Sequence, residues 1–171
     1  MEAYAAAMTV VLVTGMSGAG KSTALAELER RGQRVVDTDD GDWSEDVAGI
    51  DELGADRLWR EDRIEALLAE HSGGALFISG CVANQVSFYH RFDAIVLLSA
   101  SPGVILERLA TRRTNDFGKT EIERARILRD LHTIEPLLRA RATVVIDTRR
   151  PVAEVVDALE AIAANSRSGR L

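Results

Sequence analysis

A three-layer α/β/α sandwich on a five-stranded parallel sheet is predicted by three observations. Gly15-Met16-Ser17-Gly18-Ala19-Gly20-Lys21-Ser22-Thr23 is a complete G-x-x-x-x-G-K-[ST] loop directly after the apolar run Val10–Thr14. Four more short apolar runs rich in β-branched residues follow it, and helical patterns separate them. Runs of this kind, buried on both faces and alternating with helices, are the signature of an open parallel sheet covered on both sides.

The elements come in the order β-α-β-α-β-α-β-α-β-α. The loop opens a helix over Thr23–Arg30, followed by a strand at Arg34–Asp37, a helix over Leu58–Glu70 and a strand at Ala75–Ser79. Ala94–Leu98 is the fourth strand, Pro102–Arg112 and Lys119–Arg141 are helices, Thr143–Asp147 is the fifth strand, and Val152–Ala163 closes the chain as a helix. Two stretches interrupt this regularity. Residues 37–56 are acidic, carry Gly41, Gly49 and Gly54, and read as loop or short irregular helix; residues 112–118 are a polar break. In such a sheet ligands sit beyond the carboxyl ends of the strands, where both interruptions emerge.

With 171 residues, 46% of them hydrophobic, the chain is long enough for one packed domain, with a core over about residues 9–163. A net charge of −6 argues against a surface for nucleic acid. No apolar run approaches bilayer length. The single Cys81 cannot make an internal disulfide, so the cytoplasm is the expected compartment, with the protein a monomer or homodimer. Met1–Met8 reads as a short disordered leader, with Met8 an alternative start, and Asn165–Leu171 as a frayed tail. Cys81 reads as a small buried hydrophobe, and His71, His90 and His132 are scattered.

The loop predicts binding of a nucleoside triphosphate. Its glycines let consecutive N–H groups turn toward the phosphates, Lys21 reaches the β- and γ-oxygens, and Ser22 supplies a hydroxyl to Mg²⁺. The nucleotide-binding set is Gly15, Ser17, Gly18, Ala19, Gly20, Lys21, Ser22 and Thr23. The second strand ends in Asp37-Thr38-Asp39-Asp40, which lies beside the loop if the first two strands are neighbours. Strand alternation sends Asp37 and Asp39 to one side, so Asp37 is the candidate for the metal side with Ser22 and Asp39 for orienting the acceptor; a solvated turn rich in Asp is the alternative. Arg108 and Arg112 share a helix face, while Arg113, Asn115 and Lys119 sit in or beside the polar break. A mobile lid bearing arginines brings charge to a transferring phosphoryl group, a role for Arg113 together with Lys21; a solvated helix face is the alternative. Gly80, Asn84 and Gln85, after the third strand, line the acceptor site or form a turn. Trp43 and Trp59 stack on a ring or are partly buried in the core.

Together the phosphate loop, Asp37-Thr38-Asp39, the arginine-rich break and Val145-Ile146-Asp147-Thr148 followed by Pro151 resemble the adenylate kinase and shikimate kinase-like group of small P-loop kinases. The resemblance implies a short lid at 112–119, an acceptor segment at about 38–63, Arg108 or Arg112 packing on adenine, and Thr148–Pro151, with Arg149, as the opposite wall of the base site. It also implies that Asp39 is the acceptor-binding aspartate and Asp37 the metal-side one. The chain departs from shikimate kinases at Ser79–Gln85, where they carry three glycines. It departs again at Ile134-Glu135-Pro136-Leu137-Leu138, where they carry an arginine that grips a carboxylate. In nucleoside monophosphate kinases arginines hold the acceptor phosphate; Arg57, Arg60 and Arg63 lie in the right stretch, with solvated helix positions the alternative.

The expected activity is therefore transfer of the γ-phosphoryl group of Mg·ATP to a small hydroxyl- or phosphate-bearing metabolite or nucleotide. Two alternatives are a regulatory NTP-binding protein or NTPase acting through a protein partner, and an inactive kinase fold serving as a scaffold.

Overall fold

The computed structural model describes residues 8–48, 56–114 and 116–168. Five strands form one parallel sheet: β1 (Thr9–Thr14), β2 (Arg34–Asp37), β5 (Ala75–Ser79), β6 (Ala94–Ser99) and β7 (Val144–Asp147), in the spatial order β2-β5-β1-β6-β7. Residues 44–59 add a separate antiparallel pair, β3 (Ser44–Val47) and β4 (Asp56–Trp59). The helices are α1 (Lys21–Arg30), α2 (Glu61–Glu70), α3 (Pro102–Thr111), α4 (Glu121–Thr133), α5 (Glu135–Arg141) and α6 (Val152–Ser168), with a 3₁₀ segment at Ala83–Arg91.

The two-residue period of β1 divides the core. Val11 and Val13 face Leu25 and Leu28 of α1 and Val156 and Leu159 of α6; Val10 and Leu12 face Ile64 and Leu67 of α2, Trp59 and Phe88. All six β1 residues are buried, as a central parallel strand requires. Leu28 and Leu159 are fully buried, and removing either to alanine would cost about 2–5 kcal/mol. Arg31 ties α1 to α6, donating from Nη1 to Asp157 Oδ1 at 2.6 Å and to Glu160 Oε2 at 2.9 Å.

Three expectations need correction. First, the helix expected from Leu58 begins only at Glu61, because residues 56–59 are a strand. Trp59 is 1% exposed, its indole N–H donates to Thr38 Oγ1 at 2.8 Å, and Asn84 brackets its main chain, so tertiary anchoring overrides helical spacing. The acidic stretch 37–56, expected as loop or irregular helix, consequently contains β3 and the start of a hairpin; Gly49 and Gly54 lie outside the described residues. Second, the long helix expected over 119–141 is two helices. A capping box starts α4, with Thr120 Oγ1 accepting from Glu123 N at 3.2 Å and Glu123 Oε2 accepting from Thr120 N at 3.1 Å. Ile134 joins α4 to α5, and Pro136 at the start of α5 has no N–H to continue the ladder. Third, β1 and β2 are not neighbours; β5 lies between them.

The closing helix runs through Ser168, beyond the expected end at Ala163, and the leader before Met8 and the residues after Ser168 lie outside the described residues. The carboxyl ends of the parallel strands place Thr14, Asp37, Ser79, Ser99 and Asp147 along one edge of the sheet.

Candidate functional site

Between β1 and α1 the chain turns on glycines at positive φ. Gly15 has φ +151°, and a Cβ there would stand 2.5 Å from Leu98 O. Gly18 has φ +81° and packs against Ile105 and Leu109; Gly20, at φ +102°, is the residue from which α1 departs. Side chains would strain these turns, so the main chain can curl into a concave row of N–H groups at an uncapped helix start. Lys21 is only 8% exposed, and its Nζ donates to Gly15 O at 2.6 Å and Met16 O at 3.3 Å. Its ammonium is thereby held over the loop.

Ser22 Oγ donates to Asp37 Oδ2 at 2.8 Å. The intervening β5 does not keep Asp37 away, because the first turn of α1 reaches across the sheet edge to the end of β2. A hydroxyl and a carboxylate are hard oxygen donors, and Mg²⁺ takes one or two such protein ligands while keeping several waters, so Ser22 and Asp37 fit it. Among the described residues no group of three His, Cys, Asp or Glu is placed to hold a metal, so an all-protein cage is not what this site offers. Asp39 and Asp40 follow, both exposed, with Asp39 N donating to Asp37 Oδ1 at 3.1 Å. Ser79, at the end of β5, is fully buried with its Oγ unpaired.

A cleft of about 840 Å³ joins these groups. Ser17, Gly18, Gly20, Lys21, Ser22 and Thr23 line one part of it, Asp37, Asp39 and Asp40 another, and Arg108, Arg112, Thr148 and Arg150 a third. Gly15 and Ala19 lie behind the loop, buried, and shape it rather than line it. Arg108 is a clamp: it donates to Gly18 O at 3.2 Å, Thr148 Oγ1 at 2.9 Å and Thr148 O at 2.6 Å. Thr148 Oγ1 in turn donates to Ala19 O at 2.7 Å, tying the loop after β7 to the phosphate loop. Arg112 Nη2 donates to Phe117 O at 3.0 Å, and burial lowers its pKa from the usual arginine value. Arg113 is exposed and does not line the cleft; Asn115 lies outside the described residues. Lys119 pairs with Asp116 at 2.9 Å.

Arg149 turns away from the cleft. Its Nε donates to Asp147 Oδ2 at 2.9 Å, lowering the Asp147 pKa to about 2, and it borders a separate depression of about 530 Å³ with Ser99, Glu135 and Arg139. Arg150, one residue on, lines the cleft in its place; the sequence signal was there, but only the turn after β7 decides which of the two faces inward. Asp40 was likewise missed as a lining residue, although it adjoins Asp39.

The expected acceptor residues divide. Arg57 Nη2 donates to Asp39 O at 3.4 Å, and its Nη1 lies 3.9 Å from Asp46. Arg60 and Arg63 converge on Asp42, at 3.2 and 2.6 Å, and Arg60 Nε is buried and unpaired. The Asn84 amide is engaged with the main chain of Trp59, accepting from its N at 2.9 Å and donating to its O at 3.0 Å, so it props the hairpin. At Gly80 a Cβ would stand 2.6 Å from Thr38 Oγ1 and 2.9 Å from the Trp59 ring, so the glycine is required by packing. Gln85 is buried and holds Thr14 Oγ1 and the Tyr89 hydroxyl. Trp59 is core, in edge contact with Phe88 and Phe92, and Trp43 is half-buried beside it. Cys81 is half-buried against Met16, Leu97 and Leu138. His71 is buried, its Nε2 3.2 Å from Gly74 O.

The chain is similar to known proteins in sequence and in fold. Residues 11–129 match the profile of a family described as an AAA domain. A protein of Dinoroseobacter shibae named "nucleotide-binding protein" is 32% identical over 157 residues, and the match takes in 81% of this chain. The chain spans 45% of the length of that curated relative. Among solved structures, shikimate kinase from Bacteroides thetaiotaomicron superposes with a TM-score of 0.61 at 19% identity, over 90% of this chain and 97% of that one. Shikimate kinase from Acinetobacter baumannii, solved with shikimate, gives 0.58 at 16% identity over 96% of each chain. A gluconokinase from Sinorhizobium meliloti gives 0.54 at 19% identity over 96% of each. The fold is therefore the small P-loop kinase-like fold, with its five-stranded parallel sheet.

Proposed function

This chain belongs to the AAA-domain family, and on that premise we propose that it is an ATP-dependent small-molecule kinase. The carrying observation is that one cleft is lined both by Lys21 and Ser22 and by Asp39 and Asp40. A triphosphate seated on the loop would direct its γ-phosphoryl group toward those last two carboxylates. The acceptor oxygen attacks γ-phosphorus, the bond to the β,γ-bridging oxygen breaks, its electron pair leaves on ADP, and the acceptor proton passes to Asp39. Mg²⁺ bound at Ser22 and Asp37 would neutralise charge between the β- and γ-phosphates. Lys21 holds the same oxygens, Arg112 and Arg150 border the nucleotide, and Arg113 reaches the phosphoryl group only if the 112–119 segment closes. The two shikimate kinases and the gluconokinase support a hydroxyl acceptor by likeness of fold.

In this role the chain is one domain with an acceptor segment at about 38–63, working in the cytoplasm as a monomer or homodimer. Among the described residues no helix is long and apolar enough to cross a membrane. A regulatory NTP-binding role remains the second reading, favoured by the name of the Dinoroseobacter shibae relative. The test is to incubate the protein with Mg·ATP and a pooled metabolite extract, following ADP release and mass shifts. One metabolite gaining a phosphoryl group supports the kinase; slow ADP release with no phosphorylated product supports the regulator.

A further inference from the structure

Resting only on the triphosphate-binding part of the kinase reading, we propose that Arg108 and Thr148 are positioning residues: together they lock the peptide between Ala19 and Gly20 so that the Gly20 N–H faces the phosphates. The carbonyl end of that peptide is held on one side. Thr148 Oγ1 donates to Ala19 O at 2.7 Å and accepts from Arg108 Nη1 at 2.9 Å, and the same nitrogen lies 3.5 Å from Ala19 O. A trans peptide is planar, with its N–H opposite its carbonyl, so the Gly20 N–H points away from Arg108 and Thr148. It has no hydrogen-bond partner of its own among the described residues.

Two successive peptides of the loop differ in this respect. The one between Gly18 and Ala19 is fixed at both ends: its N–H donates to Met16 O at 3.0 Å and its carbonyl accepts from Arg108 Nη1 at 3.2 Å. The one between Ala19 and Gly20 is fixed at the carbonyl alone and borders a glycine at φ +102°, a residue that turns over at little steric cost. Without the lock that peptide is free to flip and to present its carbonyl, a partial negative charge, to the phosphates. The lock is itself anchored. Thr148 is 7% exposed, its N donates to Ser99 O at 2.9 Å at the end of β6, and Arg108 Nη2 donates to Thr148 O at 2.6 Å. A chain of donors running from guanidinium to hydroxyl to carbonyl is charge-assisted, and each bond in it strengthens the next.

This role differs from the one that the family resemblance implies for Arg108, packing on adenine. Both of its Nη atoms are engaged with oxygens of the protein, so Arg108 acts on the nucleotide through the loop. Thr148 divides the task cleanly. Valine in its place keeps the shape but removes the hydroxyl, leaving Ala19 O only the 3.5 Å approach of Arg108, whereas serine keeps the hydroxyl.

The test measures Mg·ATP affinity by calorimetry and follows the Gly20 amide by NMR in the isotope-labelled full chain. Thr148→Val and Arg108→Gln should each weaken ATP binding about tenfold, and Thr148→Ser should stay within about twofold of wild type. The double variant should lose little more than the worse single one, because both changes open the same lock. At saturating ATP the Gly20 amide proton should move strongly downfield in wild type and in Thr148→Ser, and should stay near its free position in Thr148→Val and Arg108→Gln. A loss of stability alone does not give that pattern, and Arg108→Gln carries the test if Thr148→Val does not fold. Affinity held in either variant overturns the lock. Affinity lost with the downfield Gly20 shift intact overturns it too and returns Arg108 to the base. A wild-type chain that binds no ATP overturns the nucleotide reading together with this inference.

Discussion

The two ends of the cleft are built from different materials. At the phosphate end recognition belongs to the main chain: Gly15, Gly18 and Gly20 set its path, Leu98 and Ile105 wall it, and Lys21 is 8% exposed with both its contacts made to carbonyls of the loop. At the acceptor end of the proposed reaction recognition would fall to side chains, Asp39 and Asp40, both exposed. A ligand group common to all triphosphates can be held by backbone alone, so that end tolerates no side-chain variation at the glycines. The acceptor end can change its charge without changing the fold, and this is where members of one fold can diverge in substrate.

The largest expected effect breaks the phosphate end. Lys21→Ala should lower triphosphate turnover by about 10²–10³, as loss of one preorganised donor does, and turnover within about tenfold of wild type would remove Lys21 from the chemistry. Asp39→Asn tests the other end: transfer to acceptor should fall about 10²-fold or more while ATP binding, measured calorimetrically, is unchanged. If ATP affinity falls with it, the two ends are not separable. Gly15→Ala should destabilise the protein by about 1–3 kcal/mol in denaturant titration, because the alanine Cβ would stand 2.5 Å from Leu98 O at a φ that L residues avoid. Asn84→Ala strips two bonds from the Trp59 main chain and should cost about 1–3 kcal/mol, with the acceptor KM rising and the ATP affinity held.

The smallest effect lies outside both ends. Arg30 and Arg31 beside Glu27 lower its pKa to about 2, below its ordinary value near 4.5. A depressed carboxylate contributes stability above its unfolded pKa and loses that contribution as pH falls through the folded one. The thermal midpoint should therefore decline between about pH 4.5 and 2, and Glu27→Gln should flatten part of that decline. Since the group is solvent-screened, the change is small. A decline that is the same in Glu27→Gln would assign the acid sensitivity to other carboxylates.

Legibility in the sequence followed the same division. All five parallel strands were readable because each is a contiguous run buried on both faces, and the loop because its spacing is local. The hairpin was not: Asp56–Trp59 carries no alternation of its own and is held as strand by Thr38 and Asn84, 18 or more residues distant in the chain. The break at Ile134 shows in the sequence only as Pro136, whereas the Thr120–Glu123 capping box that starts α4 is a local signal the sequence carries. Asp37 lies beside the loop even though β5 separates β2 from β1, because it meets Ser22 across the sheet edge.

By itself the sequence determined the phosphate loop, the strands and the acidity of the 37–56 segment, because these depend on residue type at short separation. Only the tertiary structure decided that Arg150 and not Arg149 faces the cleft, that Arg108 clamps the loop to Thr148, that Asn84 and Gly80 serve packing, and that Asp42 gathers both Arg60 and Arg63. Pairing and facing are properties of what lies across space. Residues close together in the chain do not carry that information until the sheet order and the turns at its carboxyl edge are set.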